Sequence, residues 1–110
     1  MEGFELTALE AQRSARGKAY LEFVRVPALS VGLYTLEVGA DDGQSPHTED
    51  EIYVVMTGRA QIRVGAEDRA VGPGTVVYVA ATVPHRFHDI TERLEVLVVF
   101  APAEYSLAPS

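Results

Sequence analysis

The chain predicts an all-β fold, a sandwich or small barrel, on three observations. From Tyr20 onward it breaks into short apolar segments punctuated by Gly and Pro. Several of these alternate apolar and polar residues with period two, as half-buried strands do. Roughly seven or eight such segments follow one another at regular spacing, the pattern of antiparallel sandwiches and barrels.

Taken in order, residues 7–16 are the one segment that reads as a helix. Thr7 is placed to cap it, Glu10 stands three residues later as in a capping box, and Gly17 supplies a stop. Leu6 and Leu9 give it a thin apolar edge, so it should cover the body without forming its core. Residues 1–19 are therefore a lead, a short helix or an extended segment, and residues 20–110 one barrel domain. Residues 20–26 alternate and end at Pro27. Residues 31–38 make a second strand, and 39–43 a polar loop. Residues 51–57 are a strand, 57–59 a turn, and 60–64 a strand with Ile62 and Val64 on one face. Residues 65–68 are a hairpin turn. Gly72-Pro73-Gly74 is the strongest punctuation, and 75–79 is expected after it as a buried strand. Residues 94–100 close the series. Strands 20–26 and 94–100 are apolar enough to be covered by a second copy of the chain.

Composition narrows the function classes. The 110 residues suit one domain, and 47% hydrophobic content suits a packed core. Sixteen acidic against nine basic residues give a net charge of −7, which argues against nucleic acid or an anionic membrane as partner. With no cysteine, disulfide scaffolds, thiolate zinc sites and cysteine nucleophiles are all excluded. Any metal must be held by nitrogen and oxygen. No apolar run approaches 18 residues, and the N-terminus lacks a signal-peptide pattern, so a cytoplasmic protein is expected.

The informative stretch is 45–58, SPHTEDEIYVVMTG. His47, Glu49 and Glu51 stand at every second position ahead of an apolar run, so on a strand they share one face. All three histidines of the chain, His47, His85 and His88, fall in this stretch or in 84–89.

These two segments resemble the motifs of the cupin family, whose fold is the double-stranded β-helix or jelly-roll barrel. Gly58 lies seven residues after Glu51 and His47 four before it, with Ser45 in the place of the family's first motif histidine. Gly74 opens the second motif, His85 follows eleven residues later, and Asp89 stands where the family has Asn. The resemblance spans residues 20–101. It implies a barrel with a metal near one mouth, and a homodimer.

Against that pattern, His47, Glu51 and His85 make a two-histidine, one-carboxylate set. Such a set suits one divalent transition metal, Fe, Mn, Ni, Co or Zn. Glu49 shares their parity, as a fourth ligand or an acid–base group. Gln44 and Ser45 reach the site through water, and Asp89 is placed to orient His85. His88 has the opposite parity to His85 and is expected beside the site at most. Tyr53 and Phe87 line a pocket or simply pack. The resulting expectation is a metal-binding protein acting on a small organic molecule, an enzyme of dioxygenase or isomerase/cyclase type. The alternative is a non-catalytic ligand-binding barrel, a sensor or carrier, with or without metal.

Overall fold

The structure is a computed structural model that describes residues 1–44 and 46–109, so the expected role of Ser45 lies outside the described residues. One helix, α1 (Leu6–Ala15), precedes six strands: β1 (Tyr20–Val26), β2 (Leu29–Leu36), β3 (Asp50–Val64), β4 (Glu67–Val71), β5 (Val76–Val79) and β6 (His85–Ala101). Among the described residues no helix is long and apolar enough to cross a membrane.

All pairings are antiparallel, in the order β1-β2-β6-β3-β4 with β5 also on β3. The long strands β3 and β6 give the fold its shape. The first half of β3 pairs with the end of β6 and with β5, Glu51 standing opposite Phe100 and Val79. Its second half pairs with the start of β6 and with β4, Val64 standing opposite His85 and Glu67. Both halves pack on one core, where Leu94, Val96, Val98 and Phe100 are each at most 2% exposed. This strict alternation fixes which residues of β6 face inward. Burying such side chains contributes roughly 1.5–3 kcal/mol each.

The change from one half to the other occurs at Gly58, where the turn expected at 57–59 is instead a bulge within β3. The β3–β6 register shifts between Val55 and Gln61, and Gly58 has φ +92. A Cβ there would lie 2.1 Å from the Arg93 carbonyl oxygen. A glycine between apolar runs signals a bulge as readily as a turn, because both need a positive φ or a close approach.

Other expectations are corrected in the same way. Thr7 lies inside α1, and Glu5 is the N-cap without a side-chain hydrogen bond. Glu10 instead receives hydrogen bonds from Arg13 and Arg93, which fastens the helix to the barrel. Strand β5 is buried on one face only: Val76 and Tyr78 are 59% and 60% exposed, while Val79 is buried and Val77 packs partly buried against the core. It pairs along β3 in the sheet, and an apolar run alone does not reveal that one of its faces is open. Residues 94–100 belong to β6, which pairs with β2 on one side and β3 on the other.

Gly58→Ala is expected to destabilise the protein by at least about 2 kcal/mol, because a left-handed residue and a backbone clash coincide. Gly43→Ala, with no atom within 4 Å of the added Cβ, is expected to change stability by less than about 0.5 kcal/mol. Urea denaturation of both variants checks this.

Candidate metal centre

Glu51, the second residue of β3, and His85, the first of β6, are brought together by the inner faces of the two long strands. His47 is not on a strand; it sits in the connection before β3, where its carbonyl accepts a hydrogen bond from the Thr82 amide at 2.7 Å. Its ring packs 4.6 Å from that of Phe100 and 5.6 Å from that of His85. All three side chains are buried, and one ligand atom from each lies within 4.8 Å of the others. His85 Nε2 is 3.0 Å and His47 Nδ1 3.7 Å from Glu51 Oε1.

The hydrogen bonds on the far side of each imidazole determine what faces inward. His85 Nδ1–H donates to the Val83 carbonyl at 2.9 Å, and His47 Nε2–H donates to Glu104 Oε2 at 2.9 Å. A neutral imidazole carries one proton, so the other nitrogen of each ring is left with a lone pair. Those atoms, His85 Nε2 and His47 Nδ1, and both oxygens of Glu51 are buried without a hydrogen-bond partner among the described residues. Buried polar atoms are normally paired, and four unpaired acceptors converging on one point fit a cation. The donor set, two nitrogens and a carboxylate, suits a divalent transition metal and leaves coordination positions open. Burial pushes the His85 pKa down, but the Glu51 carboxylate and the Val83 carbonyl outweigh it and raise it, so His85 Nε2 is a position for which a proton and a cation compete.

His47 and Glu51 open on a cavity of about 290 Å³ whose wall also includes Tyr20, Tyr34, Gln44, Phe100, Glu104 and Tyr105, whereas His85 lines a second pocket together with Arg63 and Arg86. Tyr20 is folded over Gly32, where a Cβ would fall 2.1 Å from its ring, and its buried hydroxyl has no partner among the described residues. Asp42 accepts hydrogen bonds from Tyr34 Oη at 2.7 Å and Gln44 Nε2 at 2.8 Å, while Gln44 Oε1 accepts one from Tyr53 at 3.1 Å. Burial pushes the phenols of Tyr20, Tyr34 and Tyr53 up, so they are neutral donors. No Lys or Arg is among the described residues lining the first of these cavities.

Several expected site residues stand elsewhere. The strand begins only at Asp50, so parity does not govern Glu49. Its carboxylate turns from the cavity and accepts hydrogen bonds from the Thr48 hydroxyl and from the amides of Tyr105 at 2.7 Å and Leu107 at 3.0 Å. Burial raises its pKa, but these donors outweigh that and hold it below the usual carboxylate value. Glu49 thus fastens the C-terminal tail. Asp89 has φ +48 and contacts His88, not His85, whose outer nitrogen is held by a backbone carbonyl instead. His88 points away, between Asp68 at 2.6 Å and Asp89 at 2.8 Å, and both contacts raise its pKa. Tyr53 and Phe87, with ring centroids 4.9 Å apart, belong to the core behind His85. Gln44 does line the cavity.

Sequence reasoning missed Tyr20, Asp42, Glu104 and Tyr105. Gly32 inside an apolar strand was a usable signal of close approach. Glu104 and Tyr105 follow a Pro in a segment without periodicity, so nothing marked them.

The cupin-domain family profile matches residues 32–100, and the chain belongs to the cupin family. An uncharacterized protein of Streptomyces coelicolor, SCO3923, is 54% identical over 104 residues, covering 94% of this chain and 99% of that one. The crystal structure of TT1209 from Thermus thermophilus is similar with a TM-score of 0.73 and 25% identity, covering 94% of this chain and 99% of that one. The DMSP lyase DddQ from Ruegeria pomeroyi DSS-3 is similar in fold, with a TM-score of 0.67 and 22% identity over 77% of this chain and 42% of that one.

Glu49→Gln is expected to leave the barrel folded while the Tyr105 and Leu107 amides lose about tenfold in hydrogen-exchange protection, as loss of charge-assisted bonds predicts. Unchanged protection would assign the tail's position to its other contacts.

Proposed function

We propose that the protein is a metal-dependent enzyme of isomerase or cyclase type that acts on a small, uncharged, oxygen-bearing organic molecule. The observation that carries this reading is the convergence of four unpaired buried acceptor atoms from His47, Glu51 and His85 beside a cavity that His47 and Glu51 line. One divalent transition metal held by these residues would supply Lewis-acid polarisation of a substrate oxygen. The remaining wall is suited to orienting a substrate. Tyr20 offers its hydroxyl to a carbonyl or hydroxyl oxygen, Glu104 can accept from a hydroxyl, and Val98 and Phe100 exclude water from the apolar side. The absence of a cationic side chain from the described wall favours an uncharged ligand over an anion. We place the protein in the cytoplasm as a homodimer. Ile52, Val76 and Tyr78, exposed on β3 and β5, support a contact on that side of the barrel. Sedimentation velocity of Tyr78→Glu against wild type tests it, and an unchanged dimer would exclude that face.

Elemental analysis of protein purified without chelators tests the metal. About one transition metal per chain is expected in wild type and in Tyr20→Phe, with loss in His47→Ala and His85→Ala. Metal-free wild type that takes up no Fe(II), Mn(II), Ni(II), Co(II) or Zn(II) would leave a ligand-binding barrel without catalysis as the surviving reading. For a substrate found by screening, turnover is expected to persist without oxygen, whereas a strict oxygen requirement points to a dioxygenase. Tyr20→Phe is expected to lower kcat/KM about tenfold, as loss of one hydrogen bond between uncharged groups predicts.

A further inference from the structure

The segment after β6 is built into the molecule by contacts from four directions. Ala103 is buried, and its amide lies 3.4 Å from the Pro27 carbonyl. The Glu104 amide donates to Ser30 Oγ at 2.9 Å, and the Glu104 carbonyl accepts from Arg25 at 2.9 Å. The next two contacts are the Tyr105 and Leu107 amides on the buried carboxylate of Glu49. Ser30 and Glu49 are 0% and 1% exposed, so two buried polar side chains are used to fasten a terminal tail. Tyr105 moreover adopts φ +64, a left-handed conformation that a non-glycine residue holds at a cost of order 1–2 kcal/mol. A tail serving only to cover apolar surface needs neither the strain nor the buried carboxylate.

The anchored segment places the Glu104 carboxylate 2.9 Å from His47 Nε2, at the cavity wall and nearly shielded from solvent. His47 most needs such a restraint. Glu51 and His85 are fixed by the strand register, whereas His47 hangs from a connection, with Thr82 on its carbonyl and neighbouring rings against its imidazole. On the opposite side of the set the Val83 carbonyl does for His85 what Glu104 does for His47.

We propose that Glu104 is a positioning residue for the metal centre: its carboxylate accepts the Nε2–H of His47, leaving the Nδ1 lone pair toward Glu51 and His85, and the tail anchors that carboxylate in place. The inference rests on the metal reading of the site. A carboxylate on the outer nitrogen of a ligating imidazole fixes tautomer and ring orientation and makes the ligand more basic. Removing such a partner typically weakens metal affinity by about 10–100-fold.

The test measures Zn(II) dissociation constants by chelator competition for wild type, Glu104→Ala and Glu104→Gln. It is paired with nitrogen–proton spectra of the metal-free proteins. Glu104→Ala should bind Zn(II) about 10–100-fold more weakly. Glu104→Gln, which can still accept from Nε2–H but carries no charge, should fall between. Metal-free wild type should show a slowly exchanging imidazole proton that disappears in His47→Gln and in Glu104→Ala, while the amides of Tyr105 and Leu107 stay protected. If wild type binds Zn(II) and Glu104→Ala binds it equally well, the positioning role is wrong and the metal reading stands. Wild type that binds no metal overturns both. Should Glu104→Ala not fold, Glu104→Gln decides by the same affinity and by the same imidazole proton.

Discussion

Glu51 is the constraint on which the site depends. It is 2% exposed, sits on the inner face of β3, and neither of its oxygens has a hydrogen-bond partner among the described residues. Buried polar atoms are normally paired, yet the groups nearest to this carboxylate are two imidazole nitrogens, His85 Nε2 and His47 Nδ1. The surroundings are organised accordingly. Backbone and side-chain acceptors hold the outer nitrogens of both histidines, and the bend of β3 and β6 brings residues 47, 51 and 85 to one end of the core.

Much of the fold was legible in the sequence because β structure writes itself in period two. Residues 94–100 read as a strand because the run is apolar and short, but with Leu97 and Val99 as apolar as their neighbours only the structure shows that Leu94, Val96, Val98 and Phe100 are the inner face. What the pattern could not carry was continuity. Gly58 ends an apolar run as a turn would, yet the chain passes straight through because the Arg93 carbonyl occupies the space of a Cβ. Nor could it carry exposure, since β5 reads as buried in sequence but presents Val76 and Tyr78 to the outside.

The ligand set was legible for a similar reason: few histidines, all near the two motifs, with a glutamate at the matching spacing. Its surroundings were not. Parity placed Glu49 beside His47 and Glu51, but parity applies only where there is a strand, and β3 begins after Glu49. Once outside the strand, the Glu49 side chain is free to turn to the amides of Tyr105 and Leu107. The tail it holds contributes Glu104, a residue more than fifty positions from His47 in sequence and joined to it only by the folded chain. Tyr20 depends likewise on a glycine in the neighbouring strand, a pairing that exists only once β1 and β2 are in register.

The central claim is that a cation belongs among His47, Glu51 and His85, and it is tested most directly by anomalous diffraction at the zinc absorption edge from crystals grown with one equivalent of Zn(II). The account predicts a single strong peak about 2.0–2.2 Å from His47 Nδ1, a Glu51 carboxylate oxygen and His85 Nε2. No peak there, or one only at the surface beside His88 and Asp68, would contradict it.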